Sequence, residues 1–122
     1  MSIRILVVED DPLIAHDTSK QLADAGFKVV GPARSVATAL KLVAECDAAV
    51  LDFKLGDEIS EPIARKLKAS GKPFVILSGY SKDYLQPLFD GATILLKPSH
   101  LADLLAALHR CVDGIPKADH SE

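Results

Sequence analysis

Cysteine is scarce in this chain of 122 residues: Cys46 and Cys111 are the only two. Both fall in helical patterns, so a disulfide-stapled secreted scaffold is excluded and two small buried thiols in a reduced, cytosolic protein are expected. Long apolar runs are missing as well. None approaches the ~18 residues of a membrane span, and the N-terminus lacks the pattern of a signal peptide. Positive charge is not in excess, since 14 Lys and Arg stand against 17 Asp and Glu for a net −3. No overall basic field is therefore available to recruit nucleic acid or an anionic membrane. Repeats, low-complexity stretches and interdomain linkers are also lacking. The four histidines, His16, His100, His109 and His120, have no partner at zinc-ligand spacing. One domain over residues 1–113 is expected, with a polar tail over 114–122.

What the chain does have is regular alternation of strand and helix signals. Ile3 to Val8 is strongly β-forming and runs into Glu9, Asp10 and Asp11. Asp11 is placed to cap a helix that begins with Pro12 and ends at Gly26, with Ile14, Thr18, Leu22 and Ala25 as its inward stripe. Lys28-Val29-Val30 reads as a second strand stopped by Gly31-Pro32, and Ser35 as the cap of a helix facing inward with Val36, Leu40 and Val43. Ala48 to Leu51 is an unbroken apolar run closed by Asp52, the signature of a strand buried on both faces. A helix begins at Ser60 and Pro62, carries Ile63 and Leu67, and closes near Gly71. Phe74 to Leu77 gives the fourth strand, and the segment 81–90, with Pro87 inside it, allows only a short helix. Ala92 to Leu96 is the fifth strand. The last helix presents Leu101, Leu104, Leu105, Leu108 and Val112 on one face, with Ser99 as its cap and Asp103, Ala107 and Arg110 on the outer face. Five strands alternating with helices imply an α/β fold, a doubly wound parallel sheet with helices on both sides.

Parallel strands bring their carboxyl ends to one edge, where ligands bind in open α/β sheets. That edge collects Glu9 and Asp10 from the first strand, Asp52 from the third, Ser78 from the fourth and Lys97 from the fifth. Three acids in one place resist joint ionisation unless a cation joins them. An oxygen-only donor set suits a hard ion such as Mg²⁺. With Lys97 as a point charge and Ser78 as a hydroxyl donor, the set suits phosphoryl transfer to Asp52 as nucleophile. Asp11 is better read as a helix cap, and the Lys54 side chain as solvated. Tyr80 is open between gating the site and being a half-exposed aromatic.

Val7-Val8-Glu9-Asp10-Asp11-Pro12, Val50-Leu51-Asp52, Leu77-Ser78-Gly79 and Lys97-Pro98 together resemble the receiver domain of two-component response regulators, over about residues 3–112. The resemblance implies a CheY-like sheet of order 2-1-3-4-5 with a shortened fourth helix. It implies phosphorylation of Asp52 by a histidine kinase or phosphotransfer protein. Asp10, Asp52 and the backbone carbonyl of Lys54 would ligate Mg²⁺, with Glu9 reaching it through water. Ser78 and Lys97 would hold the phosphoryl oxygens, and the Lys97–Pro98 peptide would be cis. Dephosphorylation would be self-catalysed. The chain departs from the family at Ile94, where many receivers carry a switching aromatic. Lys72 to Tyr80 is similar to a motif of stand-alone receivers found with HWE-type histidine kinases. The expected function is a single-domain, phosphorylation-dependent switch of protein contacts, or a phosphate sink for its kinase. The alternatives are a phosphatase with an aspartate nucleophile, and a receiver-like binding module without phosphotransfer.

Overall fold

Ile5, Leu6, Val7 and Val8 are all buried, because successive side chains of one strand point to opposite faces and both faces are covered. Ile5 and Val7 join one apolar cluster with Leu22, Phe27, Leu104 and Leu108; Leu6 and Val8 join another with Val36, Ala39, Ile63 and Leu67. The computed structural model describes residues 2–80, 85, 89, 92–97 and 100–113. Strands β1 (Arg4–Val8), β2 (Lys28–Ala33), β3 (Ala48–Asp52), β6 (Phe74–Ser78) and β7 (Thr93–Leu96) form one sheet in the order β2-β1-β3-β6-β7, every neighbouring pair parallel. This is the expected 2-1-3-4-5 order of the five main strands. Helices α1 (Pro12–Asp24) and α4 (Leu101–Val112) supply one cluster, and α2 (Val36–Leu42) and α3 (Glu61–Ala69) the other. Full burial of each large aliphatic contributes about 1.5–3 kcal/mol.

Two strands were not foreseen. After Asp52 the chain forms a two-stranded antiparallel hairpin, β4 (Lys54–Leu55) and β5 (Glu58–Ile59), in place of an irregular loop. Gly56 has φ +64° and among the described residues no non-glycine has positive φ, which is the pattern of a II′ turn with glycine at its first central position. The second strand also runs on through Gly31 and Pro32 to Ala33 instead of stopping before them. Because β2 lies at the sheet edge, Pro32 interrupts nothing on its open side. Gly31 is required there: its φ is +93°, and a Cβ would lie 2.7 Å from the Ala33 nitrogen.

The helices start mostly where their caps are. Asp11 accepts from the Leu13 and Ile14 amides, and Ser35 from Thr38. Ser60 precedes α3 but makes no side-chain cap bond. Helix α4 begins after His100; Ser99, the expected cap, lies outside the described residues. Two inward faces are corrected. In α1 the buried residues are Ala15 and Leu22, while Ile14 is 45% exposed and Ala25 is exposed. Two spacings fit the same helix, and small Ala15 rather than bulky Ile14 fits under it. In α4, Ala107 is 0% exposed and belongs to the core, so of the three residues expected on the outer face Asp103 and Arg110 are the exposed ones. Leu101 is partly exposed. The expected short fourth helix lies mostly outside the described residues; within it Leu85 and Phe89 are buried. The tail at 114–122 and the Lys97–Pro98 peptide lie outside them too. Both cysteines are free, Cys46 buried and Cys111 half-buried.

Ahead of β3, Asp47 fastens the entry of β1. Its carboxylate accepts from the Arg4 backbone N–H at 2.8 Å and pairs with the Arg4 guanidinium at 3.3 Å. Partial burial would raise this carboxyl, but the Arg4 N–H, then its guanidinium bond and charge, outweigh burial and hold it below the usual value. The resulting stabilisation is complete above the unfolded carboxyl's pKa of about 3.9 and is lost as pH falls through the lower folded value. Asp47→Asn is expected to melt earlier than wild type at neutral pH, with the gap closing in acid below that range. A gap that stayed constant through acid would contradict it.

Candidate functional site

Each sequence-marked group arrives from the end of a strand. Glu9 and Asp10 follow β1, Asp52 closes β3, Ser78 closes β6 and Lys97 follows β7. The register sets their levels: Val8 pairs Leu51, Asp52 pairs Leu77, and Ser78 pairs Leu96. Carboxylate oxygens of Glu9, Asp10 and Asp52 lie within 4.8 Å of one another. The Lys97 ammonium sits 2.5 Å from Asp52 Oδ1 and 3.9 Å from Glu9 Oε1. Its backbone is fixed as well, since the Lys97 N–H donates to the Ser78 carbonyl at 2.6 Å.

Burial sets the electrostatics. Asp52 is 8% exposed and Glu9 5%. Burial first, then the Asp52 charge and a hydrogen bond with Asp10, push the Glu9 carboxyl up to about 7, against the pull of the Asp11 amide and Lys97. The Asp11 N–H reaches Glu9 Oε2 at 3.2 Å, so Glu9 is anchored locally. Three acids facing one ammonium leave an excess of negative charge at the sheet edge. An oxygen-only donor set of this kind fits a hard divalent cation such as Mg²⁺.

Ser78 is buried, and its Oγ accepts the Tyr80 N–H at 2.8 Å. The Tyr80 ring, 46% exposed, meets Phe53 edge-on at 5.5 Å, and Phe53 meets Phe89 at 5.8 Å. Lys54, first residue of β4, is exposed. Ile94 lies in β7, half-buried against the α2/α3 core. The histidines among the described residues, His16, His100 and His109, are all exposed and none joins the acid cluster, although His100 lines the cleft that also touches Glu9 and Lys97.

Two features escaped the sequence reading. The Gly56 N–H donates to Asp10 Oδ2 at 2.9 Å; Gly56-Asp57 between short β-prone runs was the available hairpin signal. Beside the site, a cleft of about 480 Å³ runs between α1, the end of β6 and α4, lined by Ile14, Thr18, Leu77, Lys97, Leu101 and Leu104 among others. Leu13 is 70% exposed at the same end of α1. Ile14 at the first turn of α1 was the signal, misread as core.

Comparison with known proteins agrees with this geometry. No family model matches the sequence. The chain is 38% identical over 111 residues to the "Probable transcriptional regulatory protein SilR" of Salmonella typhimurium, covering 85% of this chain and 48% of that one. It spans about half the length of the curated relatives it matches. Among solved structures, a response regulator receiver protein from Sinorhizobium medicae aligns with TM-score 0.84 and 24% identity, covering 93% of this chain and 96% of that one. A Burkholderia pseudomallei response regulator with a phosphorylated aspartic acid, calcium ion and citrate aligns with TM-score 0.78 and 25% identity, covering 88% and 66%. The chain thus has the fold of response-regulator receiver domains. Among the described residues no helix is long and apolar enough to cross a membrane.

Proposed function

We propose that this chain is a phosphorylation-dependent switch that accepts a phosphoryl group on Asp52 from a phosphohistidine. The observation that carries the reading is the cluster itself: Asp52, two further acids within 4.8 Å and the Lys97 ammonium at 2.5 Å. The Burkholderia response regulator carries a phosphorylated aspartic acid and a calcium ion. In this chain Asp10, Asp52 and the Lys54 carbonyl would hold Mg²⁺, with Glu9 reaching it through water. Bound there, the ion would neutralise phosphoryl oxygens and the surplus acid charge.

The residues divide the remaining work. An Asp52 oxygen attacks phosphorus while the P–N bond to the donor imidazole breaks, and that imidazole keeps the electron pair. Lys97, already on Asp52, moves onto a phosphoryl oxygen as charge accumulates there. The Ser78 oxygen is occupied as acceptor by the Tyr80 amide, which leaves its proton to donate to another phosphoryl oxygen. The donor approaches past the cleft mouth, where Ile14 and Leu101 give an apolar footing. A histidine kinase or phosphotransfer protein is the partner, of HWE type by the Lys72–Tyr80 motif. The switch then acts on a downstream protein or drains the kinase of phosphate. At the position where an aspartate-nucleophile phosphatase needs its general acid, two residues past Asp52, exposed Lys54 stands instead.

Incubation with phosphoramidate and Mg²⁺ tests the reading. Intact mass should rise by one phosphoryl group, stable in acid and removed by hydroxylamine, as an acyl phosphate requires. No gain in mass, or a gain that hydroxylamine leaves in place, would overturn it.

A further inference from the structure

One component of the site comes from backbone. The Gly56 amide reaches Asp10 Oδ2 at 2.9 Å from a position 46 residues away in sequence. It is held there from three directions. Gly56 takes φ +64° at the hairpin turn, a conformation other residues adopt only at a cost. Leu55, on the strand entering that turn, is 4% exposed and packs into the α2/α3 core. Below the turn, the Ser60 N–H donates to the Phe53 carbonyl at 2.9 Å, closing the hairpin directly behind Asp52.

Asp10 needs such an anchor. It is only half-buried, unlike Glu9 and Asp52, and it is the acid whose orientation its own strand controls least, since β1 has already ended at Val8. Next to two other carboxylates, the electrostatic preference of Asp10 is to swing outward to water. An amide donating to one of its oxygens opposes that swing, and its dipole offsets part of the local negative charge.

We infer that the β4–β5 hairpin is a positioning element for divalent-cation binding, with the Gly56 N–H holding the Asp10 carboxylate in the acid cluster. The inference rests on the proposed function, because it assumes that the cluster takes a divalent ion. The hairpin follows the phosphoacceptor directly, so one short segment carries Asp52, the Lys54 carbonyl and the clamp on Asp10. Gly56 is a positioning residue; it touches neither the phosphoryl group nor the ion.

The test reads Mg²⁺ affinity by calorimetry, independent of phosphorylation. Gly56→Pro removes the donor and forbids positive φ. Gly71→Pro makes the same change at a second positive-φ glycine, φ +71° with its N–H on the Lys68 carbonyl, at the end of α3. Gly56→Pro is expected to weaken Mg²⁺ binding about tenfold or more, the usual cost of losing a partner that orients a metal ligand, whereas Gly71→Pro stays within about twofold. In the Asp10→Ala background, where no side-chain oxygen remains for the Gly56 N–H, Gly56→Pro should add no further loss. Equal affinity in the two proline variants would overturn the inference. If Gly56→Pro fails to fold, amide exchange in the wild type decides: the Gly56 N–H should be protected, and Asp10→Ala should release it. Exchange as fast as that of an open loop in both proteins would refute the clamp. A wild type that binds no Mg²⁺ would instead remove the functional reading on which the inference stands.

Discussion

Asp52→Asn is expected to abolish phosphoryl uptake from phosphoramidate, leaving no acyl phosphate above background, while the protein still folds. The carboxylate is the nucleophile, and an amide of the same shape cannot form the acyl phosphate. The fold survives because the Asn oxygen still accepts from Lys97, which lies 2.5 Å from Asp52 Oδ1, and because removing one of three acids relieves repulsion with Glu9 and Asp10. Those two effects oppose each other: a charged partner is lost, and a like charge is lost with it. The melting temperature should therefore move little. Mg²⁺ affinity should fall at least about tenfold, or ~1.4 kcal/mol, since a donor oxygen and a full negative charge leave the cluster. Phosphorylation of the variant at wild-type level would show that the acceptor lies elsewhere.

Lys97→Ala should have the second largest effect, in two readouts that move together. The rate of uptake should fall about 10²-fold, the range seen when one preorganised donor to a developing oxyanion is removed. Stability should fall as well, because Glu9 and Asp52 are then left buried without their cation. Removing one partner of a buried pair costs about 3–5 kcal/mol; the Lys97 side chain is 35% exposed, so the lower end of that range applies. Added Mg²⁺ should recover much of the lost stability and little of the rate. The ion can replace the missing positive charge among the acids, but the fifth strand no longer delivers a point charge to the phosphoryl oxygen. Wild-type uptake in Lys97→Ala would remove Lys97 from the chemistry.

The site was more legible in the sequence than its supports. Asp52 stood out because four apolar residues without alternation, bounded by turn residues, point to a strand covered on both faces, and an acid closing such a strand sits at its carboxyl end. Glu9, Asp10, Ser78 and Lys97 followed from the same reasoning applied to the other strands. Gly56 did not, because its contribution is an amide, and a backbone donor has no side-chain signature. Helix phase was the weaker inference. In α1, both Ile14 and Ala15 fit an inward stripe with Leu22, and hydropathy alone favoured the larger residue. Packing decided otherwise: the slot under α1 admits an alanine, and Ile14 was turned toward the cleft. Ala107 in α4 shows the reverse error. Its small side chain gave no sign of belonging to the core, yet it is fully buried. Gly31-Pro32 was read as a stop because those residues end most strands; at the margin of a sheet the rule relaxes.

That marginal strand bears on how the molecule behaves in a crowded solution. An outermost strand with all its amides free would invite a second molecule to extend the sheet, and from there to assemble without limit. Here Lys28 places a charge at one end of that open rim and Pro32 removes a donor near the other, so a foreign strand would find an incomplete ladder. This border resists self-stacking, leaving the opposite border and the ligand-bearing end of the sheet as the places where other molecules can engage.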